Sequence, residues 1–124
     1  MTEKINWSLQ VRVAHGPQIA ATGVVDVEAY DKVSVEIAAG ESQQVDLVPS
    51  GTERVGMVLI VPATPSADLS YEIDGTAIAL DGAHAFLGAG AARLLGADPA
   101  SLTFTNDTAA PARLDILVGR DVTP

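Results

Sequence analysis

Any chemistry in this chain has to come from a short inventory of side chains. The glycine-rich run at residues 85–97, AFLGAGAARLLGA, comes first, because glycines at the start of a helix let a backbone close on a phosphate. A dinucleotide fingerprint needs G-x-G-x-x-G between a strand and a helix. Gly88 and Gly90 fit its first two glycines, but Arg93 stands where the third should be. No Gly-Lys-Ser/Thr follows, so the phosphate loop of nucleotide hydrolases is absent too. His15 and His84 are the only histidines, and neither has a second ligand at a spacing such as H-x-x-x-H. Both read as ordinary turn residues. Asp26 and Glu28 share one side of a strand, with Asp31 close by, whereas calcium wants several oxygens from one curved loop. No serine sits in G-x-S-x-G, no carboxylate pair is marked out for glycoside hydrolysis, and there is no cysteine. The residues therefore assign no catalytic group, no metal ligand and no cofactor site. Tyr30 and Tyr71 remain as candidates to stack on a sugar or another small ligand, whereas Trp7 falls on the apolar side of its strand and reads as core.

The elements that would position these groups are strands. In INWSLQVRV, Ile5, Trp7, Leu9, Val11 and Val13 alternate with Asn6, Ser8, Gln10 and Arg12, predicting a strand with one buried and one wet face. HGPQ breaks it at Gly16 and Pro17. From Val25 to Ile37 the odd positions are again apolar except at Asp31. That pattern predicts one bent strand, or two strands joined near Tyr30, Asp31 and Lys32. AAGESQQ reads as a turn and VDLVP as a short strand. VGMVLIVPA is a continuous apolar run, the pattern of a central strand covered on both faces. LSYEI and TAIAL flank Asp74-Gly75, the clearest hairpin signal in the chain. SLTFT and ARLDILVG close the series, the latter with Leu114, Ile116 and Val118 on one face.

For residues 85–97 a helix would gather Phe86, Leu87, Ala91, Leu94 and Leu95, but Gly88 and Gly90 would each cost it about 1 kcal/mol relative to alanine. A strand or bulged loop, whose small residues admit another backbone, is the favoured reading, with a single helical turn as the alternative. Strand signals at spacings of about 8–12 residues predict one all-β domain over residues 1–124: an antiparallel β-sandwich of about eight strands, a jelly roll being one form of it.

The totals narrow the partners. The formal net charge is −9 and the seven basic residues never cluster, so the chain lacks the stripe that neutralises nucleic-acid phosphates and is ill suited to an anionic membrane. Charged residues make up 19% against 48% hydrophobic, which leaves a weakly polar surface of the kind that neighbouring subunits cover. MTEKINWSLQ holds no apolar core of signal-peptide length, giving an expectation of cytoplasmic production. The sequons at Asn6 and Asn106 then read as chance matches.

Two stretches, VEIAAGESQQVDLVPSG and LTFTNDTAAPARLDILVGRD, resemble small all-β structural proteins of tailed phages and phage-derived particles, the capsid decoration and tail or baseplate accessory subunits. The resemblance loosely spans Val33 to Asp121 and carries no functional residue across. It implies a cofactor-free, non-enzymatic subunit that acts by assembling with itself or into a larger protein particle, a virion or phage-like body included. Independently of the resemblance, the low charge and small-residue content make Phe86, Leu87, Leu94 and Leu95, together with the terminal arms MTEK and RDVTP, the expected contacts. The alternative is a small carbohydrate- or ligand-binding sandwich module using Tyr30 or Tyr71.

Overall fold

The computed structural model describes residues 3–47, 54–73, 75–95 and 101–121. Among them are ten strands, all paired antiparallel, in three sheets. β1 (Glu3–Arg12) and β2 (Gln18–Val27) form a two-stranded ribbon. β3 (Ala29–Ile37), β5 (Arg54–Pro62), β8 (His84–Leu87) and β10 (Ala112–Asp121) form a sheet in the order β3-β10-β5-β8. β4 (Ser42–Asp46), β6 (Ser66–Ile73), β7 (Thr76–Leu80) and β9 (Ser101–Asn106) form another, in the order β4-β9-β6-β7.

The two four-stranded sheets pack face to face as a sandwich. Their shared core takes Ile37, Val58, Ile60, Leu114 and Ile116 from one sheet and Leu69, Tyr71, Leu80, Leu102 and Phe104 from the other. In β10 alternation sends Ala112, Leu114, Ile116 and Val118 inward, as the pattern predicts. Of these, Leu114, Ile116 and Val118 each contribute about 1.5–3 kcal/mol relative to exposure.

A buried asparagine ties the sandwich at one end. Asn106 is fully buried at the end of β9. Its Nδ2 donates to the carbonyls of Ile37 and Ala110, both at 2.9 Å, while its Oδ1 accepts from the Thr108 N–H at 3.0 Å and the Thr108 hydroxyl at 2.5 Å. Its own N–H donates to the Glu41 carbonyl and its carbonyl accepts from Gly40 N–H. One side chain thus joins the end of β3 to the loop before β10. With its amide spent on two carbonyls and hidden from solvent, Asn106 of the folded chain is no glycan acceptor.

Several boundaries differ from the sequence reading. The chain divides at Glu28 rather than near Asp31, because the ladder of the ribbon runs to Val27 and that of β10 takes over at Ala29. β4 begins at Ser42, so only the first part of AAGESQQ is turn: Gly40 turns at φ +78°, and Ser42, Gln43 and Gln44 pair with Thr105, Phe104 and Thr103. The hairpin of β6 and β7 forms as expected, with Gly75 at φ +82°, and Asp74 lies outside the described residues. Of the stretch 85–97, Gly96 and Ala97 lie outside the described residues, and the rest splits: strand β8 ends at Leu87, and one helical turn (Ala89–Ala92) leads into a 3-10 turn (Arg93–Leu95). Gly88, at φ +116°, makes that switch, a conformation other residues avoid. Strand and helical turn, posed as alternatives, are therefore both present in sequence. The largest difference concerns β1, whose apolar side meets another sheet only at its root and is exposed beyond Trp7.

Candidate interaction surface

The pairing of β1 with β2 places Ile5 opposite Val25, Trp7 opposite Gly23, Leu9 opposite Ala21 and Val11 opposite Ile19. Directly opposed residues share a face, so every one of these lies on the same side of the ribbon. The other side carries Lys4, Asn6, Ser8, Gln10 and Arg12, with Lys4 paired to the Asp26 carboxylate at 3.0 Å. Ten residues at about 3.3 Å each give each strand a span of about 33 Å. A tight turn closes the far end: Gly16 N–H donates to the Val13 carbonyl at 2.8 Å, and His15 takes φ +61°.

Only the root of the ribbon is seated. Val27 and Met57 are both fully buried, outside the sandwich core, on the outer face of the β3-β10-β5-β8 sheet. They meet over Gly119. A Cβ placed there would stand 2.8 Å from Val27, 3.0 Å from Ile5 and 3.0 Å from Met57, so the glycine supplies the hollow into which the root fits. Gly56 lies under Val25 and Val27 in the same way, with more room. At the junction Glu28 N–H donates to the Arg120 carbonyl at 3.0 Å and to the Asp121 carboxylate at 3.3 Å, fixing the angle of departure. The Arg120 guanidinium, mostly covered, pairs with Asp31, the residue that interrupts the alternation of β3.

Beyond the root the ribbon is an arm. Every residue from 8 to 22 is exposed. The apolar face continues without cover through Leu9, Val11, Val13 and Ile19, Val11 being 56% exposed and Ile19 72%. Trp7 is the last half-covered residue, lying over Gly23 so closely that a Cβ on Gly23 would stand 2.6 Å from the indole. That stacking lends the ribbon rigidity, since an aromatic over a cross-strand glycine fills the missing side chain. A two-stranded ribbon is marginal in water by itself, and one with a bare apolar side invites a partner.

The residues expected to form contacts are not brought together. Phe86 packs against the sandwich core and Leu87 is half-buried on the outer side of β8. In the turns that follow, Leu95 is buried and Leu94, its neighbour, is 69% exposed. Of the four, Leu94 alone presents a large apolar surface. The two tyrosines also separate. Tyr30 is exposed on β3, whereas Tyr71 is only 1% exposed, packed against Phe104 with its hydroxyl 2.7 Å from His84 Nδ1. Tyr71 has no face left for a ligand. Its place was legible, since Leu69, Tyr71 and Ile73 alternate onto one side of β6. The features that reading by motif missed are the arm's exposure and its charge: residues 1–27 hold Glu3 and Asp26 against Lys4 and Arg12, and so are neutral inside a chain of net charge −9.

Burial pushes the Tyr71 hydroxyl up from 10.0 to about 12. Between those values an unfolded chain releases this proton and the folded chain keeps it, so the unfolded state binds fewer protons and stability falls as pH rises. The urea midpoint should therefore drop across pH 10–12, and Tyr71→Phe should flatten that segment of the profile. An unchanged slope in Tyr71→Phe would assign the loss to other groups.

His15, at the arm's tip, and His84, facing the core, sit on different elements, and among the described residues no three His, Cys, Asp or Glu side chains are grouped to hold a metal ion. No helix among those residues is long and apolar enough to cross a membrane. No protein-family model matches this sequence, and no curated protein matches it significantly.

Proposed function

We propose that this protein is a non-enzymatic structural subunit that works by associating with copies of itself or with a larger protein assembly, and within that class a decoration or accessory subunit of a phage or phage-like particle. The observation that carries the reading is the arm: a ribbon rooted in the sandwich whose apolar side is left bare along its outer half. Such a face is unfavourable in water and favourable against a neighbour. The fold is read as a jelly roll. Its eight sandwich strands alternate between the sheets in the sequence β3, β4, β5, then the β6-β7 pair, then β8, β9 and β10, the winding of two nested Greek keys. That architecture serves capsid subunits and lectins alike, so the function rests on the arm and not on the fold. The rival ligand-binding reading retains Tyr30 alone.

Light scattering behind size exclusion, with negative-stain microscopy of the main peak, tests the assembly reading. The expected result is a mass that is a multiple of 12.7 kDa, seen as rings, shells or short filaments. A 12.7 kDa species at every concentration would overturn self-association, and glycan binding lost on Tyr30→Ala would then favour the rival.

A further inference from the structure

The outer face of the β3-β10-β5-β8 sheet holds a second bare apolar surface. Leu117 of β10 lies opposite Leu59 of β5, and Val61 lies one step along, opposite Asp115. Leu59 and Leu117 are half-exposed and Val61 is exposed. With Lys32 and Asp115 at its margins, this group lines a shallow apolar depression. The depression continues the seat already used by the arm's root, since Met57 and Gly119 occupy the next outward positions of the same two strands. The apolar face of the arm therefore packs on this sheet once, at its root through Ile5, Val25 and Val27, and then runs on with Leu9, Val11 and Ile19 uncovered.

From this match we infer that the distal arm of one subunit seats on the Leu59–Val61–Leu117 surface of a second copy, building a head-to-tail series. The inference rests on the assembly reading above and specifies its interface. Charge selects the occupant. Residues 28–124 carry fourteen acidic side chains against five basic ones, the whole net charge of −9, so two sandwich bodies repel. The neutral arm is the part of a copy that approaches this sheet without opposing charge, and Lys32 and Asp115 at the margin are themselves balanced. Donor and acceptor surfaces differ, so the contact is heterologous: each copy gives one arm and receives another, closing as a ring or extending as a filament.

Two variants separate this arrangement from its competitors. Leu9→Lys with Ile19→Glu interrupts the apolar arm face on both strands while leaving opposite charges diagonal across the ribbon and the net charge unchanged. Val61→Lys spoils the acceptor surface at an exposed site facing Asp115. Each variant alone, folded by circular dichroism, should run at 12.7 kDa while the unaltered chain runs as a multiple of it. An equimolar mixture should form a two-subunit species, because the Val61→Lys copy still gives a sound arm and the double variant still offers a sound sheet. If the Val61→Lys protein assembles as well as the unaltered chain, arms pair with arms and the inference fails, with the assembly reading intact. It fails in the same way if both variants remain assembled, or if both are monomeric and the mixture stays so. An unaltered chain that is itself monomeric overturns the inference and, with it, the self-association part of the assembly reading, leaving association with a larger particle.

Discussion

Asn106→Ala should lower the folding free energy by about 3 kcal/mol, a large part of the 5–15 kcal/mol that holds a domain of this size together. The side chain, itself closed to solvent, donates to two carbonyls, that of Ile37 buried and that of Ala110 partly so, and accepts from the N–H and hydroxyl of Thr108. Alanine leaves the Ile37 carbonyl buried without its donor and frees the loop before β10. The cost of a buried polar group left alone is about 1–3 kcal/mol, and here more than one is affected. Urea unfolding should show the midpoint falling by about 1–2 M with an unchanged slope. Thr108→Ala should cost less, since Asn106 keeps both of its donated bonds. A midpoint within about 0.3 M of the parent for Asn106→Ala would mean that the two loops hold each other by backbone pairing through Gly40 and Glu41 alone.

Gly119→Val should detach the arm while leaving the sandwich folded. The glycine is not in the left-handed region, so its backbone accepts other residues, and what excludes them is space. Val27, Ile5 and Met57 all stand within 3.0 Å of where a Cβ would lie, and the branched carbons of valine reach further. Overpacking of this kind costs typically about 1–3 kcal/mol, and it falls on the contact that seats the root. Hydrogen exchange of the β1 and β2 amides should accelerate by roughly ten- to a hundredfold, following from 1.4 kcal/mol per factor of ten, with β6, β7 and β9 unaffected. Trp7, the single tryptophan, should shift its emission to the red as the ribbon frays. Equal acceleration throughout the chain would instead make the root part of the cooperative core.

The strands were legible wherever one side of them is buried by the chain itself. Alternation in β10 named the inward residues, because burial and periodicity there have the same cause, and Asp74-Gly75 located the β6-β7 hairpin, while the same alternation in β6, which buries Tyr71, went unused. In β1 the identical signal named the apolar face and misjudged its surroundings. Period two states that Ile5, Trp7, Leu9, Val11 and Val13 share a side, and it carries no information about what lies opposite. Asn106 was hidden for the converse reason. A polar residue in an N-x-T turn looks wet, and only the meeting of two loops distant in sequence makes it the best-buried polar group of the sandwich. Leu94 and Leu95 took opposite sides because the chain turns helical after Gly88, a switch that glycine content alone left open.

The seat under Gly119 also orders events in time. The arm leaves a ribosome ahead of the sandwich strands, whereas β10, which supplies Gly119 and the Arg120 carbonyl that fixes Glu28, is made after the rest of the sandwich. At about 5–20 residues per second, the ninety-odd residues between them take roughly 5–20 s to synthesise. The central pairings of β10 with β3 reach back over eighty residues, and such long-range contacts form slowly. Throughout that interval the apolar ribbon has nothing of its own chain to rest on, so a growing polypeptide of this sequence exposes its stickiest surface before it possesses a fold.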